Sequence, residues 1–304
     1  MGEPSLFDFP TFKITKKIRL IELFGGIGSQ AMALRDLGAD FETYKLVEFD
    51  RYCVQSYNAV HNTSFVPLDI RDVHGKDLEI CEKDKYAYIL TYSFPCTDLS
   101  VAGKMKGMSK ADWKNGESTR SGLLWEVERI LKELPKEQLP DVLLMENVTQ
   151  VHNDQNGNDF MSWQDFLISL GYFNFIADLN AKDYGIPQNR DRCFMVSILS
   201  DDFVAYEFPE PQQLTTVMKD YLEDKVDEKY YIKTEKSKKL ISDLLNETDE
   251  ERVTFTARNF ANDNPDYPTQ YERTDVAATV LARDWKGPAN FVRMNGVMEW
   301  EQKS

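Results

Sequence analysis

Cysteine and histidine are scarce in this 304-residue chain, with four of the one and three of the other. Cys53, Cys81, Cys96 and Cys193 form no CxxC pair, and no histidines cluster near them. That spacing argues against a disulfide framework and against a zinc site, so no metal is expected. Free thiols suit a reducing compartment. No stretch approaches the ~18 consecutive apolar residues of a membrane span. The opening residues, MGEPSLFDFPTFKITKK, lack the apolar centre of a secretory signal and carry acids. Pro4 spoils their loose match to a myristoylation start. The expectation is a soluble protein of the cytoplasm. A GxGxxG fingerprint is missing too, so a dinucleotide fits poorly. Positive charge is in deficit: the net charge is −15. Basic patches are the usual footprint of nucleic-acid binding, so the total by itself points away from such a partner.

The distribution of charge is uneven. Residues 201–250 hold fourteen Asp and Glu against seven Lys and Arg. Residues 101–120, VAGKMKGMSKADWKNGESTR, hold five Lys and Arg against two acids. A basic segment therefore lies just after Cys96 on an acidic chain. Taken alone, it reads equally well as a solvated loop.

Apolar runs and helical spacings alternate from residue 18 onward. IRLIELF (18–24), TYKLVEFD (43–50), a short run ending in PLDIRDV (67–73), YAYILTYSF (86–94), PDVLLMENV (140–148) and CFMVSIL (193–199) read as strands. SQAMALRDLG (29–38), 51–60, GLLWEVERILKEL (122–134) and WQDFLISLGY (163–172) read as helices. The alternation predicts an α/β fold, a doubly wound and mostly parallel sheet of the Rossmann-like kind. A catalytic domain over 18–206 follows an N-terminal extension, 1–17. The charged, weakly periodic residues 207–304 form a smaller second lobe.

In open α/β sheets, ligands meet the carboxyl ends of the strands. Gly25–Gly28, Glu48, Asp69, Pro95-Cys96 and Glu146-Asn147 fall there. ELFGGIG is a strand, a glycine turn and a helix start, which lets a nucleotide approach the backbone. Glu48 is placed for ribose hydroxyls, Phe49 for stacking on adenine and Asp69 for the adenine amine. S-adenosylmethionine and NAD both suit this geometry; glycines serving only a tight turn are the plainer alternative. Cys96 alone reads as a packing residue. With an acid at Glu146 and cations at Arg190 and Arg192 it reads as a nucleophile, because a thiolate needs positive surroundings. Cys53 and Cys81 have no such company and read as packing residues.

These segments together resemble the DNA (cytosine-5) methyltransferase family in its bacterial and phage form. IELFGGIGSQAMAL resembles the cofactor-loop motif, and VEFD and PLDI the next two. SFPCTDLSVAGKMKGM matches the catalytic proline–cysteine motif with its mobile loop, and STRSGLLWEVERIL resembles the helix after it. ENV (146–148) and QNRDR (188–192) match the motifs that complete the base pocket. VDEKYYI and AATVLARDWKGPANFV resemble, more weakly, segments before and within the specificity region. Thr97 stands where many members have Gln. The resemblance implies that Cys96 attacks C6 of a flipped-out cytosine in duplex DNA. Glu146 would engage N3 and the exocyclic amine, Arg192 the O2, and Arg190 would sit close to Cys96. C5 would take the methyl group of S-adenosylmethionine. Phe24, Gly26, Gly28, Glu48, Phe49, Asp69, Ile70, Pro95 and Leu123 would line the cofactor pocket. Ser100, Lys104 and Lys106 would meet phosphates, which accounts for a basic loop on an acidic protein. Two further family motifs, an arginine-rich LTP-type helix and a GNS-type segment, are not found in 1–304. A truncated or decayed gene product, a second chain that supplies them, and a divergent C-terminal lobe remain open. So do a non-catalytic DNA-binding role and RNA as the substrate.

Overall fold

The computed structural model describes residues 12–96, 99, 107–110, 113, 119–223, 227, 252–257, 271–279 and 290–294. The chain divides into two compact units, residues 1–179 with 192–209, and residues 180–191 with 210–304. The segment 180–191, which carries QNR, thus groups with the second unit although its flanks belong to the first.

The first unit is built on strands β1 (Lys17–Leu23), β2 (Phe41–Val47), β3 (Tyr86–Tyr92), β4 (Val142–Asn147), β5 (Tyr172–Asn180) and β7 (Asp191–Leu199). Their order in the sheet is β2-β1-β3-β4-β7-β5. The first four run parallel, and β7 runs antiparallel to β4. Helices α1 (Ser29–Asp36), α2 (Arg51–His61), α3 (Leu124–Lys132) and α4 (Gly157–Ser169) connect them. This is the Rossmann-like α/β fold expected from the alternation.

Packing follows from the period of each element. On β4, Leu143 and Met145 join the main core, while Val142 and Leu144 join a second cluster with Val196, Ile198, Phe173 and Phe175. A strand buried on both faces reads as an unbroken apolar run, as VLLM does. On α3, Leu124, Val127, Ile130 and Leu131 recur at helical spacing and are all buried. Trp163 of α4 is fully buried, donates its Nε1–H to the Tyr92 hydroxyl at 3.1 Å and stacks edge-on against that ring at 5.6 Å. Tyr92 ends β3, four residues before Cys96. Trp163→Ala is expected to lower unfolding free energy by about 3–5 kcal/mol, because it opens a cavity and strands a buried hydroxyl. Trp163→Phe should cost less, and urea unfolding measures both.

Three local expectations need correction, and one strand went unread. Residues 67–73 form no strand. Leu68 donates one backbone bond to the Glu48 carbonyl, and Asp69 then caps a 3-10 turn, Ile70–Asp72, so no ladder forms. Helix α4 begins six residues earlier than its apolar spacing suggests and stops at Ser169; Gly171, at φ 99°, turns the chain into β5. Strand β5 was hidden by its half-buried, polar-interrupted sequence YFNFIADLN. Cys81 is exposed and Cys53 only half-buried, so neither is a core residue.

In the second unit, β6 (Gln188–Asn189) pairs in parallel with β10 (Ala277–Ala278). Strands β11 (Asn290–Met294), β8 (Arg252–Ala257) and β9 (Tyr271–Arg273) form an antiparallel sheet in that order.

Candidate active site

The carboxyl ends of β1, β2, β3 and β4 carry Phe24–Gly28, Glu48-Phe49, Pro95-Cys96 and Glu146, while Asp69 and Ile70 sit in the 3-10 turn after α2 and Leu123 just before α3. After β1 the chain turns sharply. Phe24 takes φ 58°, Gly26 φ 56° and Gly28 φ 82°. A Cβ on Gly28 would lie 2.2 Å from His61 Nε2 and 2.6 Å from Tyr57 Cε2, so the turn needs glycine there for space as well as for φ. A Cβ on Gly26 would meet nothing within 4 Å, so that side of the turn is open to a ligand. Phe24 N donates to the Val47 carbonyl at 2.7 Å, which ties the glycine turn to the end of β2.

Glu48 follows directly. Its carboxylate accepts from Gly26 N–H at 3.0 Å and from Asp50 N–H at 2.8 Å. Each oxygen keeps a second lone pair for a ligand hydroxyl. Phe49 is 72% exposed, a flat apolar face beside that carboxylate. Asp50 caps α2 by accepting from Tyr52 N and Cys53 N. Asp69 is held by Arg71, whose Nε donates to Oδ1 at 2.9 Å; this partner and the amide of the same residue keep its carboxyl below the usual range. Ile70 is buried, and its carbonyl accepts from Arg129 of α3 at 3.1 Å. Leu123, just before α3, packs half-buried against the main core. An open glycine turn, a carboxylate with spare lone pairs and an exposed ring beside it fit an adenosine-bearing cofactor.

Beyond β3, Pro95 and Cys96 are half-buried. The turn is braced from both sides. Asn147 Nδ2 donates to the Phe94 carbonyl at 2.9 Å, and Ser121 Oγ to the Pro95 carbonyl at 2.7 Å. Leu99 N donates to the Cys96 carbonyl at 3.0 Å. The next strand end brings Glu146 and Arg192 together. Glu146 faces Phe194 across the β4–β7 ladder, so Arg192 is its diagonal neighbour on the same face. Arg192 Nε lies 3.0 Å from Glu146 Oε1. Arg190 belongs to the 180–191 segment; its amide donates to Asn180 Oδ1 at 3.1 Å and its carbonyl accepts from Ala181. Ser100, Lys104 and Lys106 lie outside the described residues.

Asn147, a strand-end candidate in the sequence, braces the turn before Cys96. One supporting group escaped the sequence reading. Glu22 is a lone acid in the apolar run LIELF, an anomaly that marks it. It is fully buried beneath the glycine turn; Oε2 accepts from the Tyr57 hydroxyl, and Oε1 has no hydrogen-bond partner. Burial pushes its carboxyl from its ordinary 4.5 up to about 7, against the opposing hydrogen bonds from Tyr57 and Ala31. The folded state thus holds this proton more tightly than the unfolded chain. Its contribution is complete below pH 4.5 and disappears as pH rises through about 7. The expected slope is at most about 1.4 kcal/mol per pH unit. Glu22→Gln should flatten the unfolding free energy across that window, measured by urea titration at a series of pH values.

A family model of the C-5 cytosine-specific DNA methylase matches residues 18–288. The orphan methyltransferase M.SssI of Spiroplasma monobiae is 34% identical over 267 residues, covering 71% of this chain and 67% of that protein. The type II methyltransferase M2.ScrFI of Lactococcus lactis subsp. cremoris is 33% identical over 265 residues, covering 71% and 70%. The chain therefore spans about two thirds of the length of these relatives. Among solved structures, the Dnmt2 methyltransferase of S. pombe superposes with a TM-score of 0.55 at 19% identity over 75% of this chain and 66% of that one, a likeness of fold. Motif order, strand-end geometry and these matches agree, and the chain belongs to the C-5 cytosine-specific DNA methylase family.

Proposed function

We propose that the chain methylates C5 of a cytosine in duplex DNA through a covalent bond from Cys96. The observation that carries this reading is the Arg192–Glu146 ion pair at 3.0 Å, on the strand ends beside the braced Pro95-Cys96 turn. The base leaves the helix, because C6 of a stacked cytosine is out of reach. The Cys96 thiolate adds to C6, and the π electrons move to C5. Glu146 hydrogen-bonds N3 and the exocyclic amine and stabilises the adduct, while Arg192 holds O2 and fixes the carboxylate. Arg190 enters this reading by its place two residues before Arg192. S-adenosylmethionine, when bound, supplies an electrophilic methyl group. Phe24, Gly26, Gly28, Glu48, Phe49, Asp69, Ile70, Pro95 and Leu123 are the residues that would hold it. Water then takes the C5 proton, which expels Cys96 as a thiolate and restores the double bond.

Double-stranded DNA is the substrate, and Ser100, Lys104 and Lys106 are assigned to its phosphates. The reaction is placed in a bacterial cell or a phage-infected host, in a modification or self-protection role. Among the described residues no helix is long and apolar enough to cross a membrane.

Incubation with labelled S-adenosylmethionine tests the whole. Label should enter cytosine of duplex DNA. Label in tRNA alone overturns the choice of substrate, and label in neither overturns active catalysis.

A further inference from the structure

We propose that His152, Asp178 and Cys193 form a binding site for one soft divalent transition ion of the zinc class. The three residues lie far apart in sequence, so no ligand spacing betrays them. The fold brings them together within the first unit: a 3-10 turn after β4 carries His152, and the neighbouring strands β5 and β7 carry Asp178 and Cys193. Their ligand atoms all lie within 4.8 Å of one another. His152 Nε2 is 3.0 Å from both Asp178 oxygens. A tetrahedral ion bound to nitrogen and sulfur separates those two atoms by about 3.5 Å, so only small side-chain movements are needed.

Cys193 Sγ is buried and its thiol hydrogen-bonds Asp178, so a nitrogen, an oxygen and a sulfur donor already converge on one point, and a cation bound there replaces the thiol proton and neutralises the Asp178 carboxylate. As the metal–sulfur bond forms, the thiol proton leaves to solvent; the proton that Nε2 donates to Asp178 is given up as well, with Nδ1 carrying the ring's remaining N–H, and the freed Nε2 lone pair binds the ion. Sulfur and imidazole donors select zinc or cobalt over magnesium or calcium. His152 and Asp178 remain partly exposed on a groove of about 440 Å³ lined by Phe160, Met161, Gln164 and Ile176, which gives the ion an entry path and an open fourth position. Cys193 follows Arg192 on β7 and therefore points to the opposite face of the sheet from the Arg192–Glu146 pair. The site is separate from the catalytic groups, and its test does not depend on methyl transfer.

Titration of the metal-stripped full chain with Co²⁺ reads the site directly, through the thiolate-to-cobalt charge-transfer band in the near ultraviolet. One equivalent should produce the band, Zn²⁺ should bleach it, and Cys53→Ser and Cys81→Ser should leave it in place. Cys193→Ser should abolish it, and His152→Gln should weaken binding at least about tenfold, since even supporting groups of a metal site are worth that much. Zn²⁺ should raise the Tm of the unaltered chain and raise that of His152→Gln less at the same concentration. If Cys193→Ser does not fold, His152→Gln, on a partly exposed side chain, decides alone. Absence of the band, its survival in folded Cys193→Ser, or unchanged affinity in His152→Gln overturns the proposal.

Discussion

Cys96→Ser is expected to reduce methyl transfer on the order of 10³-fold or more while DNA binding and Tm stay near those of the parent chain. A serine hydroxyl is almost un-ionised at neutral pH, whereas a thiol supplies an intrinsically strong nucleophile. The side chain is half-buried and the exchange nearly isosteric, so packing changes little. The turn itself is held by main-chain and neighbouring groups, Asn147 on the Phe94 carbonyl and Ser121 on the Pro95 carbonyl. Single-turnover transfer to a cytosine duplex, run beside a binding titration, checks both halves. If a biological effect survived with transfer gone, the chain would act as a DNA-binding subunit instead.

Glu146→Gln should be the second large loss, about 10²–10⁴-fold in transfer rate. The amide keeps the shape and one acceptor but cannot pass a proton to N3, which the electron-rich adduct requires. Arg192 then loses the carboxylate 3.0 Å from its Nε. The pair is only partly buried, with side-chain exposures of 17% and 23%, so the stability change should stay near 1 kcal/mol. A kinetic effect far larger than the thermal one separates a role in the reaction from a role in the fold. Arg192→Gln should act through the same unit. In a double-mutant cycle the two losses should therefore fall well short of additive.

The central sheet was legible because β1, β3 and β4 are buried runs flanked by helices with regular apolar spacing. The site was legible for a related reason: strand ends interrupt those runs with glycine, acid or proline–cysteine, which a buried strand has no use for. What stayed hidden depends on contacts remote in sequence. Residues 67–73 look like a strand until Asp69 is seen spent on capping the following turn. Strand β5 takes its place from its neighbour β7, and its own residues alternate poorly. Glu22 gives a visible anomaly in LIELF, but its raised carboxyl pKa follows from burial beneath the glycine turn. His152, Asp178 and Cys193 share no spacing at all. The grouping of 180–191 with the second unit rests on the pairing of Gln188–Asn189 with Ala277–Ala278, which no local pattern announces.

Trapping on a 5-fluorocytosine duplex tests the central claim most directly, since fluorine at C5 blocks the elimination that would release the enzyme. In the presence of S-adenosylmethionine the chain should gain the mass of the duplex. That adduct should survive denaturation and be absent from Cys96→Ser. A folded chain that binds the duplex yet forms no adduct, or an adduct that persists in Cys96→Ser, contradicts the assignment of Cys96 as the nucleophile.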